Sequence, residues 1–126
     1  MKTKIETKNA PAAIGPYSQA ILAGNTLYVS GQLPIDPATG EINGCGIITQ
    51  TKQALSNLGA ILAEAGATMN DVVKTTVLLK DINDFATMNE IYSKFFNGVC
   101  PARATYQVVA LPKGVLIEIE AVAVIG

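Results

Sequence analysis

The stretch "VLIEIEAVAVIG", residues 115–126, restricts the fold of this chain more than any other. Successive side chains of a strand point to opposite faces, so residues two apart share a side. Here both sides are apolar. Leu116, Val122 and Val124 fall on one, and Ile117, Ile119 and Ile125 on the other. "TTVLLK", residues 75–80, has the same character, and strands of this kind need cover on both faces of their sheet.

Two stretches have the period of a covering helix. Ile48, Thr51, Leu55, Leu58, Leu62 and Ala65 recur at three and four, which predicts a helix over 47–65 capped by Gly66. A second helix is expected from about Asp84 to Asn97, with Phe85, Met88, Ile91/Tyr92 and Phe95 on one face and Gly98 closing it. Two helices cover one face of a sheet. The other face is left apolar and bare, and a copy of the same chain is its expected cover.

The remaining segments complete the order. "YSQAILAGNTLYVSGQL" holds two β-prone runs around the turn pair Gly24-Asn25, and "PIDPATGEI" follows as a loop. "DVVKTTVLLK", "RATYQVVAL" and the last stretch are strands, the final two separated by Pro112-Lys113-Gly114. The order ββ(β)αβαββ implies an α+β or split-βαβ sheet rather than a doubly wound one. A length of 126 residues suits one domain, 1–126.

Charge excludes several function classes. Only 15% of residues are charged, against about 25% in an average globular protein, while 49% are hydrophobic. The net charge of −1 supplies no basic field for a phosphate backbone, so no nucleic-acid partner is expected. With no histidine, and with Cys45 and Cys100 far apart, a zinc or iron site is not expected. The first residues lack an apolar h-region and no run is long enough for a membrane span, so the expected location is cytoplasmic.

Few residues are left to carry chemistry. Arg103 stands in the nearly uncharged run "PARATYQVV", behind a proline that stiffens the start of the strand. It reads either as a surface arginine paired with an acid or as a planar fork for a carboxylate or phosphate. Glu118 and Glu120 share a strand face, as solvated rim carboxylates or with one of them a general base tuned by partial burial. Tyr17 in "IGPYSQA" reads as packing, and Ser30-Gly31 as turn chemistry or as a place where backbone approaches a ligand. No triad, phosphate loop, nucleophile elbow or redox cysteine pair is present.

Five stretches together, "NAPAAIGPYSQA", "LYVSGQLPIDPATGEI", "VVKTTVLLKDINDFATMNEIY", "PARATYQV" and "LPKGVLIEIEAVAV", resemble the RidA family of enamine/imine deaminases from about Asn9 to Val124. The resemblance implies a chorismate-mutase-like α+β fold, with a mixed sheet of about six strands and two helices on one face. It also implies a homotrimer with a central barrel and ligand sites between subunits. Carried over by position, Arg103 is the carboxylate-binding arginine and Glu118 the catalytic glutamate. Tyr17, Ser30, Gly31 and Asn89 line the cleft. Thr105 stands where many relatives have cysteine, so a thiol there is not required, although its backbone remains a candidate ligand contact. The implied reaction is cofactor-free hydrolysis of 2-aminoacrylate and 2-aminocrotonate, or their imines, to 2-keto acids and ammonia. The alternative is a non-catalytic 2-keto acid sensor. A ribonuclease or translation-inhibitor reading is disfavoured by the acidic composition and the missing histidine.

Overall fold

The computed structural model describes residues 1–126. Its main sheet has six strands in the order β1-β2-β3-β8-β6-β7. These are β1 (Lys2–Ile5), β2 (Ala20–Ala23), β3 (Thr26–Gln32), β6 (Val72–Leu79), β7 (Ala102–Gln107) and β8 (Ile117–Val124). All neighbouring pairs are antiparallel except β6 and β7, which are parallel and joined through α2 (Phe85–Ser93). The other helix, α1 (Ile47–Glu64), follows a two-strand hairpin of β4 (Ile35–Asp36) and β5 (Glu41–Ile42). The architecture is thus α+β, with a mixed sheet and two helices, as the order of elements implied.

Each element has a local cause. β2 and β3 are joined by Gly24-Asn25 with Gly24 at φ 62°, the glycine-first arrangement that suits a tight hairpin. Helix α1 ends in a Schellman motif around Gly66 at φ 79°: Ala67 N–H donates to Leu62 O and Gly66 N–H to Ala63 O. Its apolar stripe runs through Ala54, Leu55, Leu58, Ile61 and Leu62, all fully buried. Against it lie Val77, Leu79, Ile117 and Ile119 from the sheet and Met88 and Tyr92 from α2. Burying a side chain of this size contributes about 1.5–3 kcal/mol, which is why this face of the sheet is settled.

Four details differ from expectation. Ile48 is 48% exposed, because Ile47 and Thr51 take the inward positions at the start of α1. Helix α2 stops at Ser93, four residues short of Asn97. Lys94 N–H donates to Ile91 O and Phe95 N–H to Tyr92 O, a tightened last turn that turns Phe96 into the core. Part of "PIDPATGEI" is paired, with Asp36 O accepting from both Thr39 and Gly40 N–H at the hairpin turn. Lys2–Ile5, a stretch with three polar residues out of four, adds an edge strand because Ile5 packs on the core while Lys2 and Lys4 face water.

The uncovered sheet face carries the even-numbered side chains of β8. Tyr28, Tyr106, Val73 and Val124 are exposed there or at its margins, with Leu78 and Val122 half-buried beside them. Glu118 and Glu120 belong to the same face, while Ile117, Ile119, Ala121 and Ala123 are buried against the helices.

Candidate active site

Glu118 sits beside an irregularity in the neighbouring strand. Val29 pairs with Ala121 and Gln32 with Ile119, so β3 advances three residues while β8 advances two. The extra residue is a bulge at Ser30-Gly31, a device that re-aims strand residues and recurs next to active sites. Gly31 has no positive φ; its need is steric. A Cβ there would lie 2.8 Å from Glu118 Cδ and closer still to Oε2, so the carboxylate occupies the space a side chain would take. Ser30 anchors the loop that carries Tyr17: its hydroxyl donates to Ser18 O at 2.6 Å and its N–H to Gln19 O at 2.9 Å. Gln19, buried, then ties that loop to Thr7 and Pro11. Tyr17, Ser30, Gly31 and Glu118 together line one recess, joined by Ile14 and Lys113.

Burial raises the Glu118 carboxyl above its ordinary value of 4.5, and the charge of Glu120 raises it further. No cation of the chain lies within ion-pairing distance; the one salt bridge in the molecule is Lys4–Glu6. A half-buried carboxylate lifted in this way holds a proton less reluctantly than a surface glutamate and suits general acid–base work.

Arg103 lies elsewhere. In the register of the sheet it flanks Thr75, which in turn flanks Ala121, so it emerges on the helix-covered side at the β7 edge. Its guanidinium carbon sits 4.8 Å from the centre of the Tyr92 ring and 5.4 Å from that of Phe85. The Tyr92 hydroxyl is held by Thr75 Oγ1 at 2.7 Å, and burial, only partly opposed by that bond and by Arg103, raises its pKa above the ordinary phenol value, so that it remains a neutral phenol. Two rings thus fix the cation from the side, and no acid neutralises it. Within this chain Arg103 thus pairs with no acid. Asn89, Tyr92, Cys100 and Arg103 line a shallow second recess. Asn89 Oδ1 is buried without a partner, as is Oγ1 of Thr105, whose side chain points to the same side of β7 as Arg103.

The candidates therefore form two groups. Tyr17, Ser30, Gly31 and Glu118 converge in one recess, and Arg103 and Asn89 in another, with Thr105 beside the latter but not lining it. Glu118 flanks Leu78 and Arg103 flanks Thr75, positions of opposite parity on β6, so the two groups belong to opposite faces of one chain's sheet. Sequence reasoning passed over Phe85 and Tyr92 as the cradle, reading them as core. The signal was there: aromatics eleven and eighteen residues before an unpaired arginine, on the helix that returns to its strand. Lys113 was read only as part of a turn. No cluster of three or more His, Cys, Asp or Glu residues is placed to hold a metal ion, and Cys45 and Cys100 are exposed free thiols. No helix is long and apolar enough to cross a membrane.

Comparison with known proteins places the chain in a family. The profile of the family described as Endoribonuclease L-PSP matches residues 7–125. The chain is 61% identical to the rat 2-iminobutanoate/2-iminopropanoate deaminase, over 97% of this chain and 89% of that one. It is similar in structure to RidA from the Antarctic bacterium Psychrobacter sp., with a TM-score of 0.94 and 48% identity over 98% of this chain and 99% of the other. The structure of E. coli TdcF with bound serine superposes with a TM-score of 0.95 at 45% identity, covering 98% and 99% of the two chains. A chain matched over nearly its whole length in sequence, and over the same span in fold, belongs to the RidA family, also described as Endoribonuclease L-PSP.

Proposed function

We propose that the protein is a 2-iminobutanoate/2-iminopropanoate deaminase, hydrolysing the reactive imines of short 2-amino acids to 2-keto acids and ammonia. The observation that carries this reading is Arg103, a cation fixed by two aromatic rings and left without a counter-ion. A fork of this kind suits the substrate carboxylate. Identity of 61% to the rat deaminase supports the reaction, and TdcF, which binds serine, supports a ligand with an α-carboxylate.

Arg103 holds the carboxylate and presents C2 of the imine. Glu118, unprotonated, takes a proton from water as the water oxygen attacks C2, and passes it to the imine nitrogen, which becomes the amine of a carbinolamine. Glu118 then takes the proton of the carbinolamine hydroxyl and delivers it to the nitrogen as the C2–N bond breaks and the C2=O bond forms. The products are the 2-keto acid and ammonia, and Glu118 is again unprotonated. Substrate imines hydrolyse unaided, so positioning and acid–base help of about 10²–10⁴-fold are sufficient. No step calls for a cofactor.

The two groups lie on opposite faces of one sheet, so a complete site takes its Glu118 half from one protomer and its Arg103 half from a neighbour. The apolar, uncovered face with Tyr28, Tyr106 and Val122 supports burial against further copies, and the assembly proposed is a homotrimer with these faces inside a central barrel. Tyr17, Ser30, Gly31 and Asn89 then wall the cleft, Ser30 through the Tyr17 loop and Thr105 through its backbone.

The test is ammonia release from an imine freshly generated by a dehydratase acting on threonine or serine. Wild type accelerates it and Arg103→Ala does not, at an unchanged mass in sedimentation. Equal decay with and without wild type, together with measurable 2-ketobutyrate binding, favours the sensor reading instead.

A further inference from the structure

Lys113 departs from the rest of the chain in its backbone. At φ 58° and ψ 15° it is the one non-glycine residue with positive φ. That region crowds any residue with a Cβ and is filled routinely only by glycine, less often by asparagine or aspartate. The next residue, Gly114, adopts φ 68° without penalty. A turn that needed only this shape would carry glycine or asparagine at both positions, so the lysine side chain has a use that offsets the strain.

Its position indicates the use. Lys113 lines the recess of Glu118 with Tyr17 and Ser30, and also the two adjoining recesses beneath Ile14. It is exposed, forms no salt bridge and is the one cation lining the Glu118 recess. The same open face presents Glu118 and Glu120, in a chain of net charge −1. An anionic ligand approaching this half of the site meets the Glu118 carboxylate, with Glu120 and the exposed Lys74 farther along the same face, and the Arg103 that completes the proposed site belongs to a neighbouring protomer. The charge that perturbs Glu118 is that of Glu120. Lys113 forms no ion pair with Glu118, which leaves its charge free for an incoming anion.

We infer that Lys113 is an electrostatic steering residue of the Glu118 recess, held at its rim by a left-handed turn to draw 2-imino acid anions in. It makes no covalent step and holds no proton of the reaction. The inference rests on the deaminase reading for the identity of the substrate, but its electrostatic part applies to any short 2-keto or 2-imino acid anion. Steering by a single rim charge acts mainly on association and fades as salt shortens the Debye length from about 10 Å at 0.1 M.

The experiment compares wild type with Lys113→Gln, Lys113→Arg and Lys113→Gly in kcat, kcat/KM and affinity for 2-ketobutyrate at low and high ionic strength. Lys113→Gln is expected to lower kcat/KM about three- to tenfold at low salt with kcat unchanged, and to flatten the salt dependence. Lys113→Arg restores both. Lys113→Gly relieves the backbone and raises Tm, yet loses kcat/KM as Gln does; a residue needed only for the turn would leave Lys113→Gly at wild-type kcat/KM. Matching kcat/KM and 2-ketobutyrate affinity in wild type and Lys113→Gln at low salt overturns the inference, as does a loss that is the same at every salt concentration. If wild type fails to accelerate imine hydrolysis but binds 2-ketobutyrate with a salt-sensitive loss in Lys113→Gln, the deaminase reading falls and the steering role stands.

Discussion

The Glu118 recess and the Arg103 recess solve opposite electrostatic problems. Glu118 is lodged against the bare backbone of Gly31, where burial and Glu120 work against its charge. Arg103 keeps its charge because guanidinium hardly deprotonates, and two ring faces hold it without neutralising it. The acid is made adaptable by removing its partners, the cation constant by giving it only quadrupoles. In the proposed reaction the cation serves as a fixed anchor for the substrate carboxylate and the acid as the carrier of a movable proton.

The contrast is broken most severely at the anchor. Arg103→Ala is expected to abolish measurable deaminase activity, and Arg103→Lys to recover little of it, because an ammonium lacks the planar fork that stacks on Tyr92 and Phe85. Steady-state rates with a coupled imine source, read beside sedimentation, check this. Glu118→Gln is expected to lower kcat by about 10²–10⁴ with smaller change in 2-ketobutyrate affinity. The opposite split, affinity lost and kcat kept, would reverse the roles assigned to the two recesses.

Smaller perturbations sharpen it. Gly31→Ala forces the Glu118 carboxylate out of its place, and overpacking of this kind costs about 1–3 kcal/mol of stability along with activity. Gly66→Ala, at a turn with open space but positive φ, serves as the control: it loses stability by strain alone and keeps kcat. Thr75→Val removes the bond to the Tyr92 hydroxyl, costs about 1 kcal/mol or somewhat more, and loosens one wall of the Arg103 cradle, to be read as a rise in KM.

The smallest effect concerns pH. The Glu118 carboxyl is raised by burial first and by Glu120 second. The acid limb of kcat/KM therefore lies above 4.5, and Glu120→Gln moves it part of the way back, burial being left in place. The sign for stability follows from linkage. A carboxyl raised in the folded state favours the fold while protonated, and that contribution is lost as pH rises through the folded value. Glu118→Gln is thus more stabilising, relative to wild type, at neutral pH than in acid; Tm measured across that range checks it.

Local chemistry was enough for several elements. The stripe from Leu55 to Leu62 and Gly66 after it specify α1 and its end, because helix period and the left-handed cap are properties of a few consecutive residues. Gly24-Asn25 specifies the first hairpin for the same reason. That Glu118 and Glu120 share a face follows from the two-residue repeat of any strand. The bare apolar face was also legible, since both sides of β8 are apolar and only two helices are available.

What packing decided lies between elements. Lys2–Ile5 becomes a strand only because the β2 edge is there to pair with it. Helix α2 ends early because Phe96 finds the core through a tightened turn, which its period does not announce. Above all, the faces on which Arg103 and Glu118 emerge depend on the registers of β7, β6 and β8, and the space for the Glu118 carboxylate depends on a bulge in β3. Covalent geometry sets the alternation within a strand. Only the pairing of distant segments sets its phase against a neighbour, and that phase sends the acid and the cation to opposite sides of the sheet.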